Sequence, residues 1–498
     1  MNDLFSRRNI FNFVSSVLIV CSIKNAHAGS FELYRSQIKN TREDVNDLTS
    51  DYVYKKLMKR SIPSREKKDD NTQFGVHGME RPAVKAGVDY EKVDKAFELL
   101  ARAGVDSLRS SEAAWHRVAD KNGNPTNFND VDFQLKEAKK YGMNHLFVVG
   151  YPPAKFTVSN NKLSAVSPRY YSNYQDYLEV LLTHFKGYDV KYLELGNEVD
   201  APNVWWIRST PAMYVNEMRI LKNAINKYYS NAETVAFSAT YSRTPGLGGP
   251  TGGRNFINKS FMLGIDKYTD AYSLHHFSFL GLDDLPDYMH SMMKKYQVDN
   301  KKLLDTEQLD TSVLDKKKSN PYDIVKLFAR AFFFYDMKRM DYYLAKDTFF
   351  GNKIYNMGLF DINWQPKLRL LAYAMAVDAM KGKKLLFIAN PEKDVEAYVL
   401  YSDDSHVRKY TIVMWKNSHS DENVAPVIVT GIKGEVHIEK WNLDVNNKSD
   451  ISKGISIDEQ PLAIYTDKIP DWKPVNKNVF LKKYSSAKSS HSPMPNDD

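Results

Sequence analysis

Residues 174–198 read YQDYLEVLLTHFKGYDVKYLELGNE and contain one complete helix–strand unit. The spacing of apolar residues predicts a helix over Tyr174–Phe185, and the run Lys191–Leu195 predicts a strand. Gly196-Asn197-Glu198 follows that strand directly. A helix that leads into a short apolar strand is the repeating unit of a parallel α/β fold.

The same unit recurs on both sides of this stretch. Helical patterns such as Val93–Ala103 and Phe133–Tyr141 alternate with short apolar runs. The predicted strands are Phe74–Val76, Ser107–Arg109, His145–Gly150, Lys191–Leu195, Thr234–Thr240, Ala271–Phe277, Lys302–Thr306 and Asp341–Ala345. Eight strands with helices between them predict a (β/α)8 TIM barrel, an α/β fold, over residues 71–383.

The pattern changes after Lys383, where the helical stretches stop. The apolar or alternating runs there are Ala397–Ser402, Tyr410–Trp415, Pro426–Thr430, Glu435–Trp441 and Pro461–Thr466. They predict a small C-terminal antiparallel β-sandwich over residues 384–470. Residues 471–498 are rich in Ser, Lys, Pro and Asp, which is typical of a disordered tail.

The N-terminus is typical of an exported protein. Arg7-Arg8 precedes the mostly apolar run Ile10–Ile23, and Ala26-His27-Ala28 has the form of a cleavage site. This pattern predicts a signal peptide over residues 1–28, and the arginine pair leaves both the twin-arginine and the general secretory route open. We expect the protein in the periplasm or outside a Gram-negative cell.

Residues 29–70 are polar and charged, with a helical pattern over Asp51–Arg60, and predict a helical segment followed by a linker. No apolar run after the signal peptide is long enough to cross a bilayer, so no integral membrane span is expected. Cys21 is the single cysteine and lies in the signal peptide, so the exported chain should have neither disulfides nor thiol chemistry.

The charge balance argues against a nucleic-acid partner. There are 69 basic and 61 acidic residues, a net charge of +8, with no dense basic stripe among aromatic residues. The composition does not determine an oligomeric state.

Two glutamates stand at the ends of predicted strands, where a barrel of this type builds its site. Glu198 follows the fourth strand and Glu307 follows the seventh. Glycosidic cleavage needs two such carboxyl groups, one to protonate the leaving oxygen and one to attack the anomeric carbon. From this pattern alone, salt-bridged or solvated surface glutamates remain the alternative.

The motifs on these elements, taken in order, resemble the clan A glycoside hydrolases, and family 39 above all, including members associated with exopolysaccharide loci. The similarity extends from Phe74 to about Thr466. The motifs are Phe74-Gly75-Val76, Ala103–Arg109 with Trp115, Asp130–Asp132 with Gly142, Tyr151-Pro152-Pro153, Gly196-Asn197-Glu198, Trp205-Trp206 with Pro211 and Tyr214, Gly358-Leu359 and Pro366-Lys367.

The resemblance implies a retaining glycosidase. Glu198 would be the general acid/base, with a raised pKa, and Glu307 the nucleophile of a covalent glycosyl–enzyme intermediate. Asn197 would hydrogen-bond the 2-hydroxyl of the sugar. Arg109 would keep Glu307 ionised, although an ion pair in the barrel floor is the alternative for this residue.

This sequence departs from the family pattern at the sixth strand. The family carries a tyrosine soon after the histidine there, whereas Phe277, Ser278 and Phe279 follow His275-His276. One of the two histidines could supply the missing donor to the nucleophile. We assign His276 to the substrate, and we expect His275 to lie in the core or directly behind the residues that contact the substrate. Adjacent residues of a strand point to opposite faces, so the pair predicts no metal site, and no cofactor is expected.

Several aromatic residues are candidates for stacking on sugar rings, with core packing as the alternative for each. They are Trp115, Tyr151, Trp205, Trp206 and Trp364. Gly246–Gly253 is a glycine- and proline-rich loop after the fifth strand that could line the cleft. At the eighth strand Tyr342-Tyr343-Leu344 stands where relatives often place a tryptophan.

The sequence therefore predicts a retaining O-glycosyl hydrolase that acts on a bacterial exopolysaccharide or a related polysaccharide or oligosaccharide. Two alternatives remain. One is a weakly active or inactive carbohydrate-binding barrel in polysaccharide export, and the other is a transglycosylase with the same site. The sugar, the linkage and endo versus exo action are open.

Overall fold

The structure, a computed structural model, describes residues 43–63, 72–79, 90–201, 205–240, 252–277, 285–309, 320–350, 353–404, 407–417, 425–448, 451 and 453–476. The predicted signal peptide and most of the predicted linker and tail lie outside these ranges, as do residues 246–251 of the glycine-rich loop. Within them, no helix is both long and apolar enough to cross a membrane.

Eight parallel strands close into a barrel. They are β1 Gln73–His77, β2 Ser107–Ser110, β3 Asn144–Val149, β4 Val190–Leu195, β5 Glu233–Ala239, β6 Ala271–Phe277, β7 Lys302–Leu309 and β8 Arg339–Tyr343. The strands follow one another in chain order, and β8 pairs with β1 to complete the circle. The predicted TIM barrel is confirmed, with β7 longer than predicted and β8 beginning two residues earlier.

Helices surround the barrel. They are α1 Glu43–Met58, α2 Tyr90–Ala103, α3 Trp115–Val118, α4 Asn129–Lys140, α5 Tyr171–His184, α6 Pro211–Tyr228, α7 Gly252–Met262, α8 Leu285–Lys295, α9 Asp323–Ala329 and α10 Leu368–Met380. Arg60, just after α1, forms a paired contact with Asp378 of α10 at 2.6 and 2.7 Å. With Val53 and Leu57 fully buried, α1 is part of the packed molecule.

The inside of the barrel is built in layers. An apolar floor cluster consists of Leu146, Tyr192, Val235, Ala271 and Leu304. Side chains alternate along a strand, so the residue two positions further on points to the same side. Glu194, Ser273 and Thr306 thus form a polar layer above this floor. The polar layer lies nearer to the carboxyl ends of the strands, and in barrels of this type the active site is built at that end.

Gly75 makes room for a buried ion pair in the barrel. A β-carbon on Gly75 would lie 1.9 Å from the Asp341 carboxylate oxygen, so no larger residue fits. Asp341 accepts two hydrogen bonds from Arg339, at 2.6 and 2.8 Å, and both side chains are fully buried. The glycine of the Phe74-Gly75-Val76 motif is therefore required by packing.

The C-terminal part forms two antiparallel sheets. One has the order β11 Lys384–Ala389, β12 Val395–Tyr401, β13 Tyr410–Lys416, β18 Leu462–Thr466, β15 Val436–Lys440 and β16 Val445–Lys448. The second pairs β14 Val427–Val429 with β17 Ile455–Ile457. Between β8 and α10, the strands β9 Thr348–Phe350 and β10 Lys353–Tyr355 form a small hairpin. The predicted β-sandwich fold is confirmed.

In the larger sheet, strand β12 is buried on both faces. Ala397 and Val399 of β12 join the core between the two sheets. Tyr398 and Leu400, which alternate with them, join the core of the barrel. This two-sided burial explains why β12 is a nearly continuous apolar run.

A buried charged network joins the barrel to the sandwich. Arg330, which follows α9, donates from Nε to Glu396 of β12 at 3.0 Å and from Nη2 to the Asn417 side chain at 3.1 Å. Asn417 and Tyr398 both donate to Glu396, at 3.0 and 2.6 Å. Since Arg330 and Glu396 are essentially inaccessible to water, each depends on the other for its charge balance.

We predict that Glu396→Leu lowers the free energy of unfolding by about 3–5 kcal/mol, because it leaves a buried guanidinium without a counterion. Adding Arg330→Met should recover most of this loss. Asp403→Asn, which breaks the exposed Lys384–Asp403 pair, is the control and should cost less than about 1 kcal/mol. Urea denaturation measures all three, and a double variant as unstable as the single one contradicts the interpretation.

Candidate active site

Glu198 and Glu307 meet at the carboxyl ends of the barrel strands. Glu198 lies three residues after β4, and Glu307 lies within β7. Both side chains are buried, with residue exposures of 1% and 2%. One carboxylate oxygen of each and a ring nitrogen of His275 all lie within 4.8 Å of one another.

The Gly196-Asn197-Glu198 segment is fixed by close packing. Gly196 has a φ of 73°, and a β-carbon there would approach Val199 to 2.7 Å and Trp206 to 2.9 Å. The Tyr151 hydroxyl donates to the Asn197 carbonyl and accepts from its backbone N–H, each at 2.7 Å. Glu198 itself has a φ of 49°, an uncommon conformation for a glutamate that this packing maintains.

A β-bulge places Glu307. Leu274 of β6 pairs with Asp305, whereas the next residue, His275, pairs with Glu307, so that Thr306 is the extra residue in β7. Bulges turn a side chain to a new direction and recur beside active sites. As a result Thr306 and Glu307, although adjacent, both reach groups inside the barrel.

Arg109 is the centre of the hydrogen-bond network. Its guanidinium is fully buried and donates to Glu194 at 2.7 Å and to Glu307 at 2.6 Å. Its Nη2 donates to the Asn197 side-chain oxygen at 2.9 Å. The structure thus brings Arg109, Asn197 and Glu307 together as the sequence predicted, and the ion pair considered as the alternative is present as well.

The two oxygens of Glu307 differ. Oε1 accepts from Arg109 and lies 3.0 Å from Nδ1 of His77, whereas Oε2 has no hydrogen-bond partner among the described residues. Burial raises the pKa of this carboxyl, but the nearby charges of His275, His77 and Arg109 outweigh burial and hold the pKa well below its usual range. Glu307 is therefore an ionised carboxylate with one unengaged oxygen.

Glu198 has the opposite electrostatics. Burial raises its pKa, and the negative charges of Glu307 and Asp200 add to this, while the contact with His275 opposes it. The hydrogen bond from His275 Nδ1 to Glu198 Oε1 is 3.1 Å long. One site therefore contains two carboxyl groups whose pKa values are shifted in opposite directions, which separates an acid from a base or nucleophile.

His275 lies beside the two glutamates and not in the apolar core, which were the two places expected for it. Its buried Nδ1 lies 3.1 Å from Glu198 and 3.7 Å from Glu307 Oε2, which places the ring between the two glutamates. Glu307 and Glu198 raise the pKa of His275 against the lowering effect of burial. His276 lies in β6, but its side chain is outside what the structure describes, so its assignment to the substrate stays a prediction.

Two residues of this network were missed in the sequence. Glu194 accepts from Arg109, from Ser273 at 2.6 Å and from Thr306 at 2.9 Å. Burial raises its pKa, but Arg109, His275 and Ser273 together lower it below its usual value. His77, at the end of β1, contacts Glu307. The alternation of side chains along a strand could have identified both residues. Glu194 comes two positions after the inward-facing Tyr192, and His77 comes two positions after the inward-facing Gly75.

The aromatic residues divide into core and site. Trp115 stacks with Phe156 and Tyr177 at 4.9 and 5.3 Å and is 1% exposed, so it belongs to the core and offers no surface to a sugar. Trp206 is fully buried and also belongs to the core.

The other three candidates lie nearer to the surface or the site. Tyr151 holds the Asn197 backbone, and the centre of its ring lies 6.0 Å from that of Trp205. The indole N–H of Trp205 has no hydrogen-bond partner among the described residues. The Lys346 ammonium lies 4.8 Å above the Trp364 ring and covers one of its faces. Sugar stacking by Trp205 stays a prediction.

The Glu198–His275–Glu307 cluster also has the spacing of metal ligands. Arg109, however, places a fixed positive charge 2.6 Å from Glu307 Oε1. A divalent cation on Glu307 would be repelled by this guanidinium, because like charges at such short range oppose each other strongly in a buried site. The arrangement fits proton transfer and nucleophilic attack better than metal binding.

No family model and no curated protein matches the sequence. The fold, in contrast, is similar to many solved structures. A family 39 glycoside hydrolase from Bacteroides cellulosilyticus WH2 has a TM-score of 0.63 at 16% identity, over 80% of this chain and 82% of that chain.

Two further enzymes extend this likeness. A family 30 endoxylanase from Clostridium papyrosolvens C71 has a TM-score of 0.54 at 17% identity, over 82% of this chain and 98% of that chain. A glucosidase from Croceicoccus marinus has a TM-score of 0.55 at 14% identity, over 78% and 94%. At these identities the likeness shows the fold, and the expected resemblance to clan A glycoside hydrolases is confirmed at that level.

We predict that Tyr151→Phe lowers the free energy of unfolding by about 1–3 kcal/mol, because it leaves two partly buried backbone groups of Asn197 without their partner. Tyr177→Phe is the matched control, since its hydroxyl makes one buried bond, to the Ala113 carbonyl. Thermal and urea unfolding compare the two variants. An equal or smaller loss for Tyr151→Phe contradicts the role of this hydroxyl.

Proposed function

We propose that the protein is a retaining glycoside hydrolase in which Glu198 is the general acid/base and Glu307 is the nucleophile. The observation that carries the proposal is the pair of buried carboxyl groups with oppositely shifted pKa values and oxygens within 4.8 Å. The substrate is a bacterial exopolysaccharide or a related glycan, in keeping with the sequence resemblance.

The distance between the carboxyl groups supports retention of configuration. Retaining enzymes keep the two groups about 5–5.5 Å apart, whereas inverting enzymes keep them about 6.5–9.5 Å apart to admit a water molecule. Oxygens within 4.8 Å agree with the first arrangement.

In the first step, Oε2 of Glu307 attacks the anomeric carbon while Glu198 gives its proton to the leaving glycosidic oxygen. The C–O bond to the leaving sugar breaks as the ester bond to Glu307 forms. In the second step, Glu198, now ionised, takes a proton from water, and the water oxygen displaces Glu307. Both carboxyl groups return to their starting states.

Asn197 is oriented for the sugar. Because its side-chain oxygen accepts from Arg109 at 2.9 Å, its NH₂ group is turned away from Arg109 and is available as a donor. Such a donor suits the 2-hydroxyl, whose contacts strengthen in the transition state. Arg109 has a second task, because it holds both the amide and the nucleophile.

We predict that Glu307→Gln abolishes hydrolysis and that Glu198→Gln lowers kcat about 10²–10⁴-fold on substrates with poor leaving groups. Activity is measured on a panel of aryl glycosides and on the polysaccharide of the host cell. Glu233→Gln, which touches only the peripheral contact with Lys302, is the control and should keep full activity.

A 2-fluoro glycosyl fluoride of the matching sugar should form a stable adduct on Glu307, detected by peptide mass spectrometry. Wild-type turnover by either site variant contradicts the assignment of that residue. Binding of the polysaccharide with neither cleavage nor adduct would favour the carbohydrate-binding alternative, and transfer to added sugars over water would favour the transglycosylase.

We also predict a bell-shaped dependence of kcat/KM on pH, because the active form has Glu307 ionised and Glu198 protonated. Activity is lost on the acid side as pH falls through the lowered pKa of Glu307, and on the alkaline side as pH rises through the raised pKa of Glu198. With an activated aryl glycoside, Glu198→Gln should lose the alkaline limb. Its persistence in that variant assigns the limb to another group.

A further inference from the structure

His77 lies where it can control the nucleophile. It is the last residue of β1, and its Nδ1 is 3.0 Å from both Glu307 Oε1 and Arg109 Nη1. Its ring and that of Tyr343 form a T-shaped pair, with the ring centres 5.1 Å apart and an interplanar angle of 77°. Three atoms of different residues therefore meet at one point, with Arg109 and Glu307 only 2.6 Å apart.

The chain before and after His77 leads the ring to this point. Gly75, two positions earlier, faces the barrel interior beside Asp341, so the alternation of the strand turns His77 inward as well. Gly78 follows with a φ of 93°, and a β-carbon there would lie 2.0 Å from Leu344. The strand thus ends at His77 and turns away at once.

Nδ1 of His77 cannot serve both neighbours. A guanidinium only donates, so a bond with Arg109 requires a bare Nδ1, whereas a bond with the Glu307 carboxylate requires Nδ1–H. Because Glu307 is ionised, Nδ1–H···O⁻ is a charge-assisted hydrogen bond and is the stronger choice. Arg109 already has Glu194, Glu307 and Asn197 as acceptors.

We propose that His77 is a positioning residue, which donates from Nδ1 to Glu307 Oε1 and, with Arg109, fixes the carboxylate so that Oε2 attacks the sugar. This proposal rests on the proposed function. The two donors come from adjacent strands, β1 and β2, and both engage Oε1, whereas Oε2 has no hydrogen-bond partner among the described residues. Rotation of the carboxylate would break both bonds.

The proton on Nδ1 is tested first, without any substrate. In protein labelled with ¹⁵N-histidine, the Nδ1 shift of His77, assigned by its loss in His77→Leu, should be that of a protonated nitrogen. An unprotonated Nδ1, which would accept from Arg109, overturns the proposal. This measurement stands even if no substrate is ever found.

Kinetics then test the positioning. With an aryl glycoside that the wild type hydrolyses, His77→Leu should lower kcat about 10- to 100-fold, the range expected for a lost hydrogen bond to a charged group, with little change in KM. His77→Asn places an amide N–H near the original Nδ1 and should recover much of that loss. His184→Leu removes a histidine–carboxylate contact outside the site, with Asp132 at 2.7 Å, and should keep wild-type kcat.

These outcomes separate the two proposals. Wild-type kcat in His77→Leu, or failure of His77→Asn to improve on a folded His77→Leu, contradicts the role of His77 even if Glu307 is the nucleophile. If His77→Leu does not fold, the kcat of His77→Asn is compared with that of the wild type instead. A loss of kcat above about tenfold in His77→Asn then counts against the proposal. Absence of any Glu307 adduct together with a protonated Nδ1 counts against the glycosidase and leaves the hydrogen bond in place.

Discussion

The buried guanidinium of Arg109 is the constraint on which the rest of the site depends. A charge removed from water is tolerated only with close counterions and satisfied hydrogen bonds. Glu194 meets this need from below, held by Ser273 and Thr306, and Glu307 meets it from above. With Glu194 as the permanent counterion, Arg109 can lose its pairing with Glu307 during a reaction without being left alone.

The same arrangement makes the two site glutamates unequal. Glu307 faces Arg109, His77 and His275, and these outweigh the cost of burial, so the carboxylate is ionised. Glu198 is buried to the same degree, and there the contact with His275 does not outweigh the effects of burial and of the charge on Glu307. Unequal surroundings, and not the identity of the side chains, separate the proposed acid from the proposed nucleophile.

The sequence predicted the fold well because eight apolar strands and their helices are set by local periodicity. The strand ends predicted that Glu198 and Glu307 would meet, since residues at the ends of parallel strands share one face, and the family resemblance added Asn197 and Arg109. Periodicity cannot show the extra residue Thr306, which turns Glu307, nor the inward position of His275. The sequence left Trp115 open between core and cleft, because a tryptophan near a strand end looks the same in sequence in both places, and the structure places it in the core. The domain boundaries and the signal peptide stay predictions.

His275 connects these features in the proposed reaction. During the first step the negative charge leaves Glu307, which becomes an ester, and appears on Glu198, which gives up its proton. The Nδ1 of His275 lies 3.1 Å from one carboxyl group and 3.7 Å from the other, so it faces the charge before and after the transfer. Arg109 keeps Glu194 throughout, and the total charge around it does not change. The two carboxyl groups can therefore exchange their charge states while the total charge of the buried site stays constant. A site without solvent needs this constancy, because an uncompensated buried charge is strongly destabilising.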